Sequence, residues 1–422
     1  MIPVGAFHFW VHELPDPKGI AQYEGFQGTV RIQVLGTHVG TVKGLQWNGT
    51  WLPVSGRLGI LPVLREPWGT ELVLKGRIVS PPDTGKMDWR AYLKGQGARV
   101  MLVPTQRLEI TKPTNLWARL RQHMETWIQQ GIPDPSAQAL VQALLLGDRT
   151  RLDPEILKAF RRTGTFHLLA LSGLHVGLIF SLLLLFFQFL RVPYRVRILA
   201  SLLSLLGYLA VVGPRPSLVR GVLFVLTFAF AYLMERPRVP LNALGVAGLV
   251  SLFFFPFWRW SIGFQLSYWA TFGILLWVPV LPRFRPKILH GLFVATVVSV
   301  VAQVFLAPLL IHTFQGISLA APFMNVPLVS LTWLLLAEAL LALIFSTLPL
   351  GLAQPFWALT TTVAQSILWM VRKVSAWPWV YVSLGQRPES QLWGVLVAIG
   401  LCSIAGVWWI ARKHPIDPWT FG

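Results

Sequence analysis

After residue 165 the sequence becomes a succession of apolar blocks separated by short Arg- and Pro-rich stretches. The blocks run at 166–190, 198–212, 218–234, 239–258, 263–281, 288–312, 320–346, 356–371 and 391–411. A helix needs about 20 mostly apolar residues to cross a hydrocarbon core of roughly 30 Å, and several blocks reach that length. Block 198–212 is short by this measure. Only 13% of the chain is charged, against about a quarter in soluble domains. In lipid every backbone polar group must be satisfied internally, so such blocks have to be helices. The expected fold is therefore a polytopic α-helical membrane protein.

Charge is distributed unevenly. Residues 1–160 hold 18 Lys+Arg against 13 Asp+Glu, and residues 161–422 hold 18 against 4. The excess sits in the separators. The positive-inside rule accounts for it, and a nucleic-acid footprint is the sharper alternative, since phosphate contacts need cations. Charge alone does not separate the two. Arg191, Arg195 and Arg197 follow the first block; Arg236 and Arg238 follow the third; Arg283, Arg285 and Lys287 follow the fifth. Simple alternation then makes these ends cytoplasmic and places the chain ahead of residue 165 outside. Cys402 is the single cysteine, which leaves no intramolecular disulfide and no cysteine-rich zinc site. The first 25 residues contain no apolar h-region of a signal peptide.

Ahead of the apolar blocks the pattern is β. Val30, Ile32 and Val34 alternate with polar neighbours, as do Leu72, Leu74 and Ile78. Asn48-Gly49 is a hairpin-turn signal, because both residues tolerate positive φ. Val100 to Ile110 reads as a last pair of short strands. About five short strands in this region point to a small OB-like β-barrel. Four parts are expected: an OB-like β domain at 1–112, amphipathic interfacial helices at 113–164, a transmembrane domain of about 8–9 apolar segments at 165–411, and a tail at 412–422. Within the second part, Leu116, Leu120, Met124 and Trp127 follow helical spacing. Asp153 is a candidate N-cap before Pro154.

Polar residues inside the blocks are the candidate site. Phe166 to Gly177 places His167, Ser172 and His175 at the start of a spanning helix, with Ser172 and His175 three apart. Gly173 and Gly177 form a G-x-x-x-G face for close helix approach. This stretch reads equally as helix packing and as function, since intramembrane ionisable groups are functional by default. Val212 to Arg220 separates two blocks and carries Arg215, Ser217 and Arg220; it is either a broken helix lining a wet path or a tight surface loop. Gly263 precedes Gln265 and Tyr268, which share a helix face. Gln303, His312, Asn325 and Glu338 are scattered further along. Ser172 with His175 lacks the nearby acid a serine hydrolase needs, and no metal-binding His cluster appears. No catalytic role is expected.

These stretches resemble the ComEC competence family in order and spacing. The runs Ala143–Arg149, Phe160–Gly164 and His167–Gly177 are similar to its central signature. Pro216–Arg220 looks like its second motif, Gly263–Tyr268 its third, and Asn325–Leu328 a weaker fourth. Pro82–Leu93 resembles the end of its OB-fold domain. The resemblance implies a channel that carries single-stranded DNA across the bacterial cytoplasmic membrane during natural transformation, with the OB-like domain outside. It implies as partners single-stranded DNA, the lipid bilayer, other components of the DNA-uptake machinery and further copies of the chain, and no cofactor or metal. Candidate path residues are His167, Ser172, His175, Arg215, Ser217, Arg220, Gln265 and Asn325; Gly173, Gly177 and Gly263 are candidate packing glycines. Trp47 and Trp51 read as stacking platforms for bases, or else as barrel core or a membrane-facing rim. Many family members have spanning helices before the OB-like domain and a metallo-β-lactamase-like domain at the end. This sequence starts almost directly in the OB-like domain and stops at Gly422, so a natural short form, an incomplete gene product and a mis-called start are all open expectations, and no nuclease role is carried over. The rival reading is a small-molecule or lipid transporter, for which repeat symmetry between halves is expected and not seen.

Overall fold

The computed structural model describes residues 20–34, 39–47, 50–52, 54, 57–60, 70–81, 89–111, 116–237, 239–282, 285–348 and 351–383. The turn residues Asn48 and Gly49, the stretch 82–88, block 391–411, Cys402 and the tail lie outside these. The chain divides into two compact units. One holds residues up to Thr126 with Leu206–Pro216 and Leu249–Phe264; the other holds Trp127–Leu205, Ser217–Gly248 and the described residues from Gln265 on.

The first unit contains a six-stranded sheet: β1 Gln27–Val34, β2 Val39–Trp47, β3 Thr50–Leu52, β4 Arg57–Ile60, β5 Glu71–Val79 and β6 Ala98–Thr111, with helix α1 Trp89–Gly95 before β6. The order is β1-β5-β6-β4-β2-β3, and β1 also pairs with β2. β4 and β6 run parallel; the other pairs are antiparallel. Hydrogen-bonded pairs thus lead from β1 through β5, β6, β4 and β2 back to β1. The alternating residues form the core: Val30, Ile32, Val34, Leu72, Leu74 and Ile78 are buried together with Leu45, Leu58, Ile60 and Leu102.

The expected pair of short strands over 100–110 is one strand of 14 residues. Pro104 does not break it, because the register shifts twice against β5 and sets Pro104 opposite Gly76. A bulge is where a proline fits in a sheet. A Cβ on Gly76 would lie 2.4 Å from the Val103 carbonyl oxygen and 2.8 Å from the Pro104 Cα, so the close approach requires glycine.

The described helices that follow are α2 Leu116–Gly131, α3 Pro135–Leu146, α4 Pro154–Arg162, α5 Gly173–Phe189, α6 Tyr194–Val212, α7 Pro216–Leu233, α8 Pro240–Phe254, α9 Ile262–Trp277, α10 Lys287–Phe314, α11 Ala321–Phe345 and α12 Gln354–Ser375. α6, α7, α10 and α11 are long and apolar enough to cross a membrane, and α3, α5 and α8 are shorter apolar helices. Leu199 and Leu203 on α6, Phe230 on α7, Leu249 and Phe254 on α8, and Phe323 on α11 are exposed. Large apolar side chains turned outward on helices this apolar are what a lipid surrounding selects.

Several elements differ from their sequence expectations. α6 is 19 residues, not the short block read at 198–212; Tyr194, Arg195 and Arg197 join its first turn, where a long cationic side chain can reach the interface. In α2 the buried positions are Ala118, Arg121, Met124 and Ile128, while Leu116 and Leu120 stay exposed. Arg121 is buried because its Nε donates to Glu125 Oε1 at 3.0 Å. α3, within the stretch expected to lie on the bilayer surface, buries nine of its 12 residues and packs against α11 and α12. Asp153 caps α4 as expected, accepting from the Glu155 N–H at 2.8 Å. A short antiparallel pair, β7 Gly316–Ser318 and β8 Tyr381–Ser383, ties the start of α11 to the segment after α12.

Candidate functional site

The Ser-Gly-Leu-His run straddles the start of a helix, with Ser172 outside it and Gly173 to His175 in its first turn. Phe166–Leu169 is one 3₁₀ turn, and α5 begins at Gly173 with Ser172 as its N-cap. Ser172 and His175 therefore meet as cap and third helical residue rather than as neighbours on a helix surface. The Ser172 N–H donates to His175 Nδ1 at 3.3 Å, and Ser172 Oγ lies 3.1 Å from the same nitrogen. With Nδ1 accepting, the proton of a neutral ring is on Nε2. His175 is fully buried, and Nε2 has no hydrogen-bond partner among the described residues.

α7 starts at the same end as α5. Ser217 Oγ donates to the Leu171 carbonyl at 2.5 Å. One turn on, Gly173 and Gly221 face each other: a Cβ on Gly221 would lie 2.9 Å from the Gly173 Cα and 2.9 Å from Val176 Cγ2. This glycine pair lets the two backbones touch. A Cβ on Gly173 would also lie 3.0 Å from Arg220 Nη2, so the guanidinium lies over the start of α5. Arg220 Nη1 donates to Thr271 Oγ1 on α9, and Thr271 Oγ1 donates to the Ser267 carbonyl at 2.8 Å. Arg220 Nε is buried without a partner, and no carboxylate pairs with this arginine among the described residues. The result is a polar group inside an apolar bundle: Ser172, His175, Ser217, Arg220 and Thr271.

The other expected residues are placed differently. Gly177 has nothing within 4 Å of a built Cβ among the described residues, and Gly263 meets only Ser261 Oγ at 3.7 Å. Among the described residues the G-x-x-x-G spacing is used at Gly173 alone, because Gly221 comes from α7 and reaches one turn of α5. Arg215 belongs to the first unit, in a three-residue connection between α6 and α7 that opens with Gly213 at φ +85. Gln265 is on α9, part-buried. Asn325 Nδ2 donates to Ser299 Oγ at 2.6 Å and links α11 to α10, and Gln303 Nε2 donates to the Ser318 carbonyl at 2.6 Å. His167 is exposed, with Nδ1 3.2 Å from the Gly164 carbonyl. Trp51 is half-buried with the Arg31 guanidinium 4.4 Å above its ring; the side chain of Trp47 lies outside the described residues.

Two members of the site were not read from the sequence, Thr271 and Gly221. Thr271 is one turn after Ser267 in the block that holds Gln265, a hydroxyl pair on one helix face. That spacing was the available signal. Gly221 directly follows Arg220, and only the approach of α5 gives it meaning.

An apolar bundle with outward-facing Leu and Phe and a part-buried cationic side chain defines a helical membrane protein. The sequence model of the family described as Competence protein matches residues 144–412. The chain belongs to that family, the ComEC-type competence proteins. It is 30% identical over 251 residues to ComE operon protein 3 of Bacillus subtilis, covering 58% of this chain and 31% of that one. It is 27% identical over 292 residues to Recombination protein 2 of Haemophilus influenzae, covering 64% and 36%. Competence protein ComA of Neisseria gonorrhoeae is 29% identical over 235 residues, covering 52% and 32%. The chain thus spans about a third of the length of these curated relatives. No solved structure matches it.

Proposed function

We propose that this protein is a multi-pass channel that passes single-stranded DNA across the bacterial cytoplasmic membrane during natural transformation. Membership of the competence family supports a role in DNA uptake. The observation that carries the channel reading is Arg220. A charge held among apolar helices is costly and normally faces a functional path or a partner. Its one hydrogen bond among the described residues, to the Thr271 hydroxyl, neutralises nothing. A strand carries one negative charge per nucleotide, and a low-dielectric passage repels it without a compensating cation. Guanidinium stays charged and pairs with phosphate in a fork. His175 and Ser172 add neutral donors and acceptors beside it.

In this reading the chain is a conduit and not a catalyst. Ser172 and His175 touch, but a nucleophile and base need a third, orienting group, and His175 Nε2 has none among the described residues. The sheet of the first unit is read as an OB-like barrel on the grounds of its returning strand pairings. Arg31 over Trp51 gives that surface one cation beside one aromatic face, the combination that binds single strands without sequence preference.

The test is transformation with labelled DNA. Arg220→Gln is expected to cut uptake of the strand at least ten-fold while membrane protein level and surface binding of DNA stay at the wild-type value. Wild-type uptake at equal protein level would remove Arg220 from the path. Loss of the protein from the membrane would assign it to packing instead.

A further inference from the structure

Three further arginines, on elements other than that of Arg220, gather at the N-terminal end of α5. Arg149 and Arg161 each hold Cζ 5.1 Å from the centre of the Phe166 ring, from different elements. Arg161 is also 5.8 Å from Phe314, whose ring meets Phe166 edge-on at 6.0 Å. Arg149 Nε donates to the Leu169 carbonyl at 2.9 Å. Arg162 Nη2 donates to the Trp377 carbonyl at 3.2 Å. Trp377 stacks on Trp379 at 5.4 Å with 29° between planes, and both rings are exposed, by 48% and 55%.

The scaffold under this cluster is closely fitted. Gly164 has φ +72, and a Cβ there would lie 2.5 Å from Ala321 Cβ and 2.8 Å from Ser318 Cβ. This fixes the turn after α4 against β7. β7 pairs with β8, which follows directly on the Trp377–Trp379 segment. The positive-inside rule explains Arg191, Arg195 and Arg236 at the far ends of α5 and α7. It does not explain cations at the near end. Arg161 and Arg162 pair with no carboxylate among the described residues, so no ion pair there offsets the repulsion between these two neighbours.

We propose that Arg149, Arg161 and Arg162, with the Trp377–Trp379 pair, form a docking platform for single-stranded DNA at the mouth of the bundle. Guanidiniums take the backbone phosphates, and the two exposed indoles take base faces, which stack regardless of sequence. The proposal rests on the single-strand reading above, and adds the place where the strand first binds.

The experiment uses the full chain in nanodiscs of zwitterionic lipid and a fluorescent oligo-dT, with affinity measured by anisotropy across a salt series. Arg161→Gln is the first variant, because this side chain makes no hydrogen bond among the described residues and its loss leaves the scaffold intact; Arg161→Gln with Arg162→Gln is the second, with a thermal melt to check folding. Each phosphate that the variant no longer neutralises is expected to flatten the slope of log K against log salt by about 0.7. Trp377→Ala with Trp379→Ala is expected to weaken binding about ten-fold with the slope unchanged, as loss of stacking does. Arg195→Gln, in the first turn of α6, is expected to bind as wild type. Binding and slope unchanged in the arginine variants, with wild type binding oligo-dT, would overturn the platform and leave the channel reading standing. No binding by wild type would remove both. Unchanged oligo-dT binding with loss of co-purified anionic lipid would make the cluster a lipid headgroup site and sink the proposal.

Discussion

Arg220 and the Gly173–Gly221 contact depend on one another. The guanidinium lies over Gly173 because that residue has no side chain, and α7 reaches α5 because Gly221 has none either. Gly221→Ala puts a methyl 2.9 Å from a backbone Cα, which cannot move away as a side-chain tip can. It is expected to lower stability by roughly 1–3 kcal/mol, the usual cost of overpacking. Gly177→Ala, in the interior of α5, meets open space among the described residues. It is expected to be neutral or to stabilise by up to about 1 kcal/mol, through helix propensity alone. Thermal unfolding of both variants in detergent checks the pair. An equal loss at both positions would mean that Gly177 also packs against a helix.

At the scale of elements, the starts of α3 and α4 depend on capping side chains. Asp134 opens α3 by accepting from the Ser136 N–H at 2.9 Å, and its other oxygen accepts from Gln365 Nε2 of α12 at 3.1 Å. Asp134→Ala removes the cap and the tie together and is expected to cost about 1 kcal/mol or somewhat more. Asp134→Asn keeps a capping oxygen and should recover most of it in the same melt. Elements whose pattern is local were legible in the sequence. Val30, Ile32 and Val34 alternate, and they are core; Asp153 precedes Pro154, and it caps. Elements whose form depends on a distant partner were not. Pro104 looks like a strand break until Gly76 lies opposite it. Leu116 and Leu120 look like a core stripe, yet the buried face includes Arg121, because Glu125 neutralises it. The site divides in the same way. Ser172, His175 and Arg220 stood out as polar residues in apolar runs. Thr271 did not, since a threonine bonded to its own helix is common in apolar helices and only Arg220 distinguishes this one.

At the scale of the helical unit, the starts of α5 and α7 lie at one end, joined by Ser217 to Leu171 and by Gly173 to Gly221. Gly164 brings β7 and the start of α11 to that same end. α5 and α7 finish in left-handed turns at Arg191 and Glu235, with φ 57 and 53. α7 has 18 residues, a length of about 27 Å at 1.5 Å per residue, close to the hydrocarbon thickness of roughly 30 Å. Glu235 and Leu319, both exposed, should then lie on opposite faces of the membrane. Arg191, Arg195, Arg197 and Arg236 cluster around the Glu235 end, so the positive-inside rule predicts that end to be the cytoplasmic one. The test replaces Cys402, the single cysteine, with Ser and introduces Glu235→Cys or Leu319→Cys. A membrane-impermeant maleimide added to intact cells with the outer barrier permeabilised should label Leu319→Cys and leave Glu235→Cys unlabelled until the inner membrane is opened. Labelling of both from one side would mean that α7 does not cross. Arg220, one turn inside α7, would then lie at a surface, and its bond to Thr271 would need no channel to explain it.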